Sequence, residues 1–290
     1  FQVDEVALYK ADNAETLDYA DAQTTNVTET DDIYSGIEGD TVLQTDLSQG
    51  AARIVYELDV TQNAYYTAAV AAQKVERPVP SDVADGSATN NCAKPMNIRV
   101  SVETAADGSG EVLAAMTDDR YVHKAAETFR VHFNSGANDK VYLIVTADAI
   151  TGDDIFVANN TLLNFKDFSL TAHSVTAIEA EAQTVVVGDT GTVEVFALLD
   201  DGRRVAVGDS VTFTPDNGNV TFEGNAFRAK GVGSSTVTAA WGGHTCEIAF
   251  TVLDVIEGIE AGEDREIRLG ESAAHTVTAS YGTIEDEDVT

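Results

Sequence analysis

Five histidines (His123, His132, His173, His244 and His275) and two cysteines (Cys92 and Cys246) are the side chains here best suited to hold a metal or move a proton. They are scattered, and none falls at the close spacing of a zinc site or of a nucleophile with its base. The sequence has no Gly-x-Ser-x-Gly elbow, no phosphate-cradling Gly-Lys-Ser/Thr loop and no Asp-x-Asp-x-Asp-Gly calcium loop. Cys92 lies in the polar run Asn90–Pro95 and Cys246 in a distant alternating stretch. Two free thiols are expected, because a bridge needs Cα atoms within about 7 Å. With forty-nine Asp and Glu in the chain, a pair of carboxylates at acid–base distance means little by itself. Catalysis is therefore not expected, and binding is.

Charge narrows the partners. Forty-nine acids against seventeen Lys and Arg give a formal charge of -32, which repels phosphate backbones and excludes nucleic acid. The chain is 43% hydrophobic with only four prolines, so it folds, and without an apolar run near about eighteen residues no membrane insertion is expected. An acidic surface suits an extracellular setting in which salt and divalent cations screen self-repulsion. The length, 290 residues, predicts two or three domains.

The elements that must carry any site are strands. Val55–Val60, Ile98–Val102, Phe129–Phe133 and Val141–Val145 are short, rich in β-branched and aromatic residues, and bounded by Gly, Asn or Asp. Ala64–Gln73 is Ala-rich, but Tyr65-Tyr66-Thr67 and Val70 favour strand. Leu163–Leu170 reads as an alternating strand that closes the first region. From Val175 to Leu253, seven short strands are predicted, including one over Thr192–Leu199. The text then repeats: Ile178-Glu179-Ala180 followed by Val187-Gly188-Asp189 returns as Ile259-Glu260-Ala261 followed by Leu269-Gly270-Glu271. Internal repetition of this kind marks tandem modules. The predicted fold is all-β: a jelly-roll sandwich over 1–172, an immunoglobulin-like sandwich over 173–253, and an incomplete second copy over 254–290.

Two resemblances add to this. The Val187-Gly188-Asp189 turn, the Phe227–Gly233 segment and the closing Thr236–Ala239 strand resemble the bacterial immunoglobulin-like group 2 domain over 175–253, with a second start from 255. That family implies a non-catalytic spacer or adhesive module of secreted and surface proteins. Phe1-Gln2-Val3-Asp4-Glu5-Val6-Ala7-Leu8 resembles the opening of carbohydrate-binding module families 6 and 35. The Tyr34–Asp40 turn, the Val55–Ala72 strand pair, Ala137–Val141 and Leu163–Phe168 resemble their later motifs.

That second resemblance implies a sugar site and a structural calcium. Tyr34 and Tyr121 stand where those families place two loop aromatics, and Asn164 where a loop amide binds sugar. Asp4 matches the first calcium ligand; at the second, Lys166 occupies one register and Asp167 the next. The chain is thus expected to be an extracellular, secreted or surface-borne bacterial binding segment that takes a glycan or polysaccharide. The competing expectation is a structural subunit of an extracellular filament or surface layer. It rests on residues 254–290, which cannot close a sandwich alone and whose strand edges call for further chain or for homopolymer contacts by strand addition.

Overall fold

Alternation of apolar and polar residues decides which face each strand buries, and nearly every described segment is built of strands. The computed structural model describes residues 14–31, 41–75, 96–121, 125–150, 161–262, 266–274, 276–282 and 287–288. Among them no helix is long and apolar enough to cross a membrane. The chain forms two compact units, Phe1–Ser174 and Val175–Thr290.

In the first unit the strands are β1 (Ala14–Thr16), β2 (Gln23–Thr25), β3 (Thr28–Asp31), β4 (Thr41–Asp46), β5 (Ala52–Asp59), β6 (Tyr65–Val75), β7 (Met96–Glu103), β8 (Val112–Tyr121), β9 (Glu127–Asn134), β10 (Lys140–Ala147) and β11 (Leu162–His173). One sheet runs β3-β4-β11-β6-β9, with β1 also paired to β11, and the other runs β2-β5-β10-β7-β8. From β4 onward the chain passes back and forth between the sheets, which is jelly-roll winding. Ile54, Tyr56 and Leu58 of β5 and Leu143 of β10 face Tyr66, Ala68 and Val70 of β6 across one core. The Ala-rich stretch is the interior strand β6, flanked by β9 and β11. Its outward Ala69 and Ala71 are buried as well.

One irregularity shapes the site described below. β11 pairs with β6 up to Lys166 and again from Ser169, with a register shift between them, and Asp167 takes a left-handed φ of 53°. Such a bulge resets which residues point inward. Leu163 and Phe165 face the core before it, and Phe168 and Leu170 after it.

The second unit holds β12 (Val175–Ala180), β13 (Gln183–Val186), β14 (Thr190–Thr192), β15 (Val195–Leu199), β16 (Arg204–Ala206), β17 (Thr212–Pro215), β18 (Val220–Glu223), β19 (Ala226–Ala229), β20 (Gly233–Trp241), β21 (His244–Leu253), β22 (Ile256–Ala261), β23 (Val277–Tyr281) and β24 (Glu287–Asp288). Its sheets are β12-β15-β16, β13-β21-β20-β17, β14-β19-β18 and β22-β23-β24. The predicted single strand over Thr192–Leu199 is broken: β14 pairs with β19, and β15 with β12. Val193 at the break is buried, and its amide donates to the Asn225 carbonyl at 3.0 Å, so the chain changes sheets without losing its apolar alternation. Ile178, Val195 and Ala197 pack with Val237, Ile248 and Phe250 in one core. Phe250 meets Phe227 and Phe222 edge-on at 5.2 and 5.9 Å, and Phe222 stacks on Phe213 at 4.6 Å. Gly191 is required beside them, because a Cβ there would lie 2.8 Å from the Phe227 ring.

Phe250→Ala empties the centre of this aromatic group. It is expected to lower the unfolding free energy of the second unit by about 3–5 kcal/mol, read from the urea midpoint; a change below about 1 kcal/mol would show that the ring is not central.

Candidate binding site

The bulge in β11 and the turn after β1 together make a depression of about 370 Å³ lined by Thr16, Leu17, Asp18, Tyr19, Asp167 and Phe168. Pairing of Ala14–Thr16 with Ser169–Thr171 brings the first turn alongside the bulge, and the Leu17 amide donates to the Phe168 carbonyl at 2.9 Å. The chain then leaves the sheet in a short 3-10 turn, Tyr19–Asp21, whose N-cap is Asp18: its carboxylate accepts from the Ala20 amide at 3.0 Å. Capping of this kind satisfies an otherwise orphaned amide. Tyr19 is thereby held half-buried against the core, its ring edge-on to Phe168 at 6.1 Å and 85°.

Beneath it the Tyr56 ring leans on Phe168 at 5.0 Å. Burial, and then the nearby Tyr19, Asp18, Asp21 and Glu29, push the Tyr56 phenol well above its ordinary range. Its hydroxyl has no hydrogen-bond partner among the described residues. The depression therefore combines an aromatic ring with a fixed back wall and two carboxylates, one from each side. Ionised carboxylates only accept hydrogen bonds, which matches a ligand rich in hydroxyl donors.

The residues expected to form the site are not brought together. Tyr121 ends β8 rather than occupying a loop, and a register shift between Met96 and Ile98 turns it inward. It is 0% exposed, tilts against Phe129 at 5.7 Å, and donates its hydroxyl to the Ala72 carbonyl. This corrects the expectation of a sugar platform at Tyr121, since a fully buried ring offers no face. Asn164 is likewise corrected: it is a strand residue of β11, 1% exposed, whose carbonyl accepts from Gln44 Nε2 at 2.8 Å. Tyr34 and Asp4 lie outside the described residues. Asp167 is exposed at the bulge and lines the depression opposite Asp18. Of the two residues expected to hold calcium, it is the one that lies within the described residues. Sequence reasoning missed Tyr19, although Leu17-Asp18-Tyr19-Ala20-Asp21 places an aromatic between two acids in a turn.

Elsewhere polar groups are tied to structure. Val55, Ile144 and Ser101, on the outer side of the second sheet, are buried, and the β7–β8 turn reaches Arg53 through the Ala106 carbonyl. Glu103 accepts from Ser101 Oγ at 2.7 Å and pairs with Arg99 at 3.3 Å. Thr67 Oγ lies 2.8 Å from both His132 Nδ1 and His173 Nε2, a bridge that ties β9, β6 and β11 together.

No protein-family model and no curated protein matches the sequence. Among solved structures, a family 4 carbohydrate-binding module is similar over 53% of this chain and 95% of its own, at 8% identity and a TM-score of 0.34. The CBM22-2 xylan-binding domain of Paenibacillus barcinonensis Xyn10C is similar over 53% and 93%, at 14% identity and a TM-score of 0.32. The K1 cleaved adhesin domain of Lys-gingipain from Porphyromonas gingivalis W83 is similar over 55% and 96%, at 13% identity and a TM-score of 0.34. Likenesses of that size say nothing of what this chain binds.

Burial raises Tyr121 above its ordinary value, as it does Tyr56, with the Glu127 and Asp118 charges adding to the effect. A raised phenol contributes stability that is complete below the unfolded value of about 10 and is lost as pH climbs toward the folded value. Urea unfolding between about pH 9 and 11 is expected to show stability falling with pH, and less steeply in Tyr121→Phe. The same variant should lose about 1 kcal/mol at neutral pH from the missing hydrogen bond. Equal slopes in both proteins would remove Tyr121 from the account.

Proposed function

We propose that the first unit is a carbohydrate-binding module that takes a polysaccharide across Tyr19, and that it belongs to a secreted or surface-borne bacterial protein. In this reading the second unit consists of immunoglobulin-like modules of the group 2 kind, which space the binding face and catalyse nothing. The observation that carries the reading is the half-buried Tyr19 ring that lines the depression, backed by Phe168 and accompanied by the Asp18 and Asp167 carboxylates. A pyranose has an apolar C–H face that packs on an aromatic ring and a polar rim that hydrogen-bonds to acceptors beside it. The ring supplies affinity and the carboxylates orientation.

Charge refines the ligand class. With -32 formal charges on the chain and two acids in the depression, uronates and sulfated glycans are repelled, so neutral polysaccharides are favoured. A calcium ion at Asp167, with Asp4 as a further ligand, belongs to the same proposal. It would fix the bulge carboxylate in place, and chelation would then lower the melting temperature, because a ligand that binds only the folded state stabilises it.

Affinity gel electrophoresis of the whole chain in neutral xylan, galactan and β-glucan, with polygalacturonate as the acidic control, tests the reading. Retardation is expected in at least one neutral gel and not in the acidic one. Tyr19→Ala is expected to weaken binding about tenfold or more, a difference of about 1.4 kcal/mol, and Tyr34→Ala examines the second platform implied by the sequence. Equal retardation of wild type and Tyr19→Ala, or none in any gel, defeats the proposal.

A further inference from the structure

Tension carried along the chain crosses the first repeat between two internal points, Val175 where β12 begins and Leu253 where β21 ends. The answer to that tension is fixed by how the first and last strands are joined. β13 lies parallel to β21, from Gln183 opposite Phe250 to Val186 opposite Leu253. Both strands of a parallel pair point the same way, so pulling the start of one and the end of the other acts along their length in opposite senses. The strands must then slide past each other, and the bonds between them share the load and fail together. A pair pulled apart from one end alone would part bond by bond.

The path to that pair is direct. β12 leads into β13 through only Glu181 and Ala182, and it is held along its own length, antiparallel to β15 from Val175 opposite Leu199 to Ala180 opposite Val195. Side chains add to this ladder: the Thr176 hydroxyl donates to the Leu198 carbonyl at 3.0 Å, and Arg204 Nε donates to the Glu179 carboxylate at 2.6 Å. β21 is gripped on its other edge by β20, antiparallel from Trp241 opposite His244 to Gly233 opposite Val252. It cannot be drawn out without sliding past both neighbours.

The turn after β13 fastens its far end. The Val186 amide donates to the Asp189 carboxylate at 2.9 Å, and the Asp189 amide donates back to the Val186 carbonyl at 3.0 Å. The same turn is stitched to β19, because the Gly188 amide donates to the Ala229 carbonyl and the Ala229 amide to the Asp189 carbonyl, each at 2.9 Å. The Val187 amide donates to the Leu253 carbonyl at 2.8 Å, where a pull on β21 enters. Val185 and Val187 pack on the core that holds Ile248, Phe250 and Val252, which keeps competing water from the bonds as they stretch.

We propose that the first repeat is a load-bearing module and that β13 with β21 is its mechanical clamp. Its further function is to transmit tension between the chain before Val175 and the chain after Leu253 without unfolding. Lifetime under load is a rate, set by the barrier to unfolding rather than by equilibrium stability. A contact slows unfolding only if it must break before that barrier is crossed. The parallel pair meets this condition for a pull on the two ends of the repeat and not for a pull that grips the pair at one end, so resistance depends on direction. The inference concerns the second unit alone and is independent of the sugar site.

Optical tweezers on the whole chain test this, with handles on two engineered thiols in a Cys92→Ser, Cys246→Ser background. Ser174→Cys with Glu257→Cys loads the ends of the repeat and puts the parallel pair in shear. Thr190→Cys with Glu257→Cys grips the pair at one end, since Val186 lies opposite Leu253, and peels β21 away. All three sites are exposed. Full unfolding in the first geometry releases about 270–300 Å of chain at 3.3–3.6 Å a residue, less the folded separation of the handles. At one fixed force, unfolding is expected to be about a hundredfold slower in shear than in peel, because several hydrogen bonds must give way in one step. Val187→Pro, which deletes the amide bonded to Leu253, is expected to speed unfolding in shear about fivefold. Equal rates in the two geometries overturn the clamp whether or not that variant folds. A folded Val187→Pro protein that resists shear as well as wild type also overturns it, since that assigns the resistance to β12 and β15.

Discussion

Between Lys166 and Ser169 β11 carries an extra residue against β6, and the consequences run through the first unit. A strand of unbroken period two that buries Phe165 would also turn Asp167 and Ser169 inward and Phe168 and Leu170 outward. A carboxylate without a partner would then lie in the core, at a cost of several kcal/mol. The bulge exchanges those faces. Asp167 accepts a left-handed backbone, which acids tolerate better than most residues, and Phe168 enters the core where Tyr56 leans on it. The same step presents the Phe168 carbonyl to Leu17, which fixes where the chain leaves the sheet and hence where Tyr19 stands. Site and core are thus two results of one backbone irregularity.

The second unit is governed by a different constraint, the need of a single strand path to serve two sheets. β12 and β13 are separated by only Glu181 and Ala182 yet pair with β15 and β21 respectively, and β14 and β15 divide in the same way. Each crossing keeps the apolar alternation intact, so Val193, Val195, Ala197 and Leu199 are all buried although the hydrogen-bond partner changes midway. Sheet identity is a non-local property and burial a local one. They need not change together.

That distinction explains what could be read from the sequence. Strand positions, the all-β class and the repeat followed from alternation and turn chemistry, which are local. The break in Thr192–Leu199 left no trace, since only the remote partners β12 and β19 distinguish its halves. The bulge did leave one: the spacing Leu163, Phe165, Phe168, Leu170 departs from period two, and the ambiguity between Lys166 and Asp167 at the expected calcium position is the same irregularity seen from the surface. Tyr121 and Asn164 misled because the resemblance put them in loops, although Asn164 lies between Leu163 and Phe165 in a stretch that reads as strand. Tyr121 follows Asp118-Asp119-Arg120, acids and a base that an edge strand can expose while its next residue turns inward. Tyr19 was legible in type and setting, but nothing in its own turn shows that Phe168 stands behind it, about 150 residues along the chain.

The two repeats separate local from remote contributions to one motif. Both form the Gly turn with φ above 90° and both close it with an acid at the same place, Asp189 or Glu271, so that geometry needs no covering sheet. Both also form the bulged pairing of first and second strands. Only the parallel strand depends on the far half of the sandwich: Gln183–Val186 is strand beside β21, whereas Glu266–Arg268 holds the same turn without becoming one.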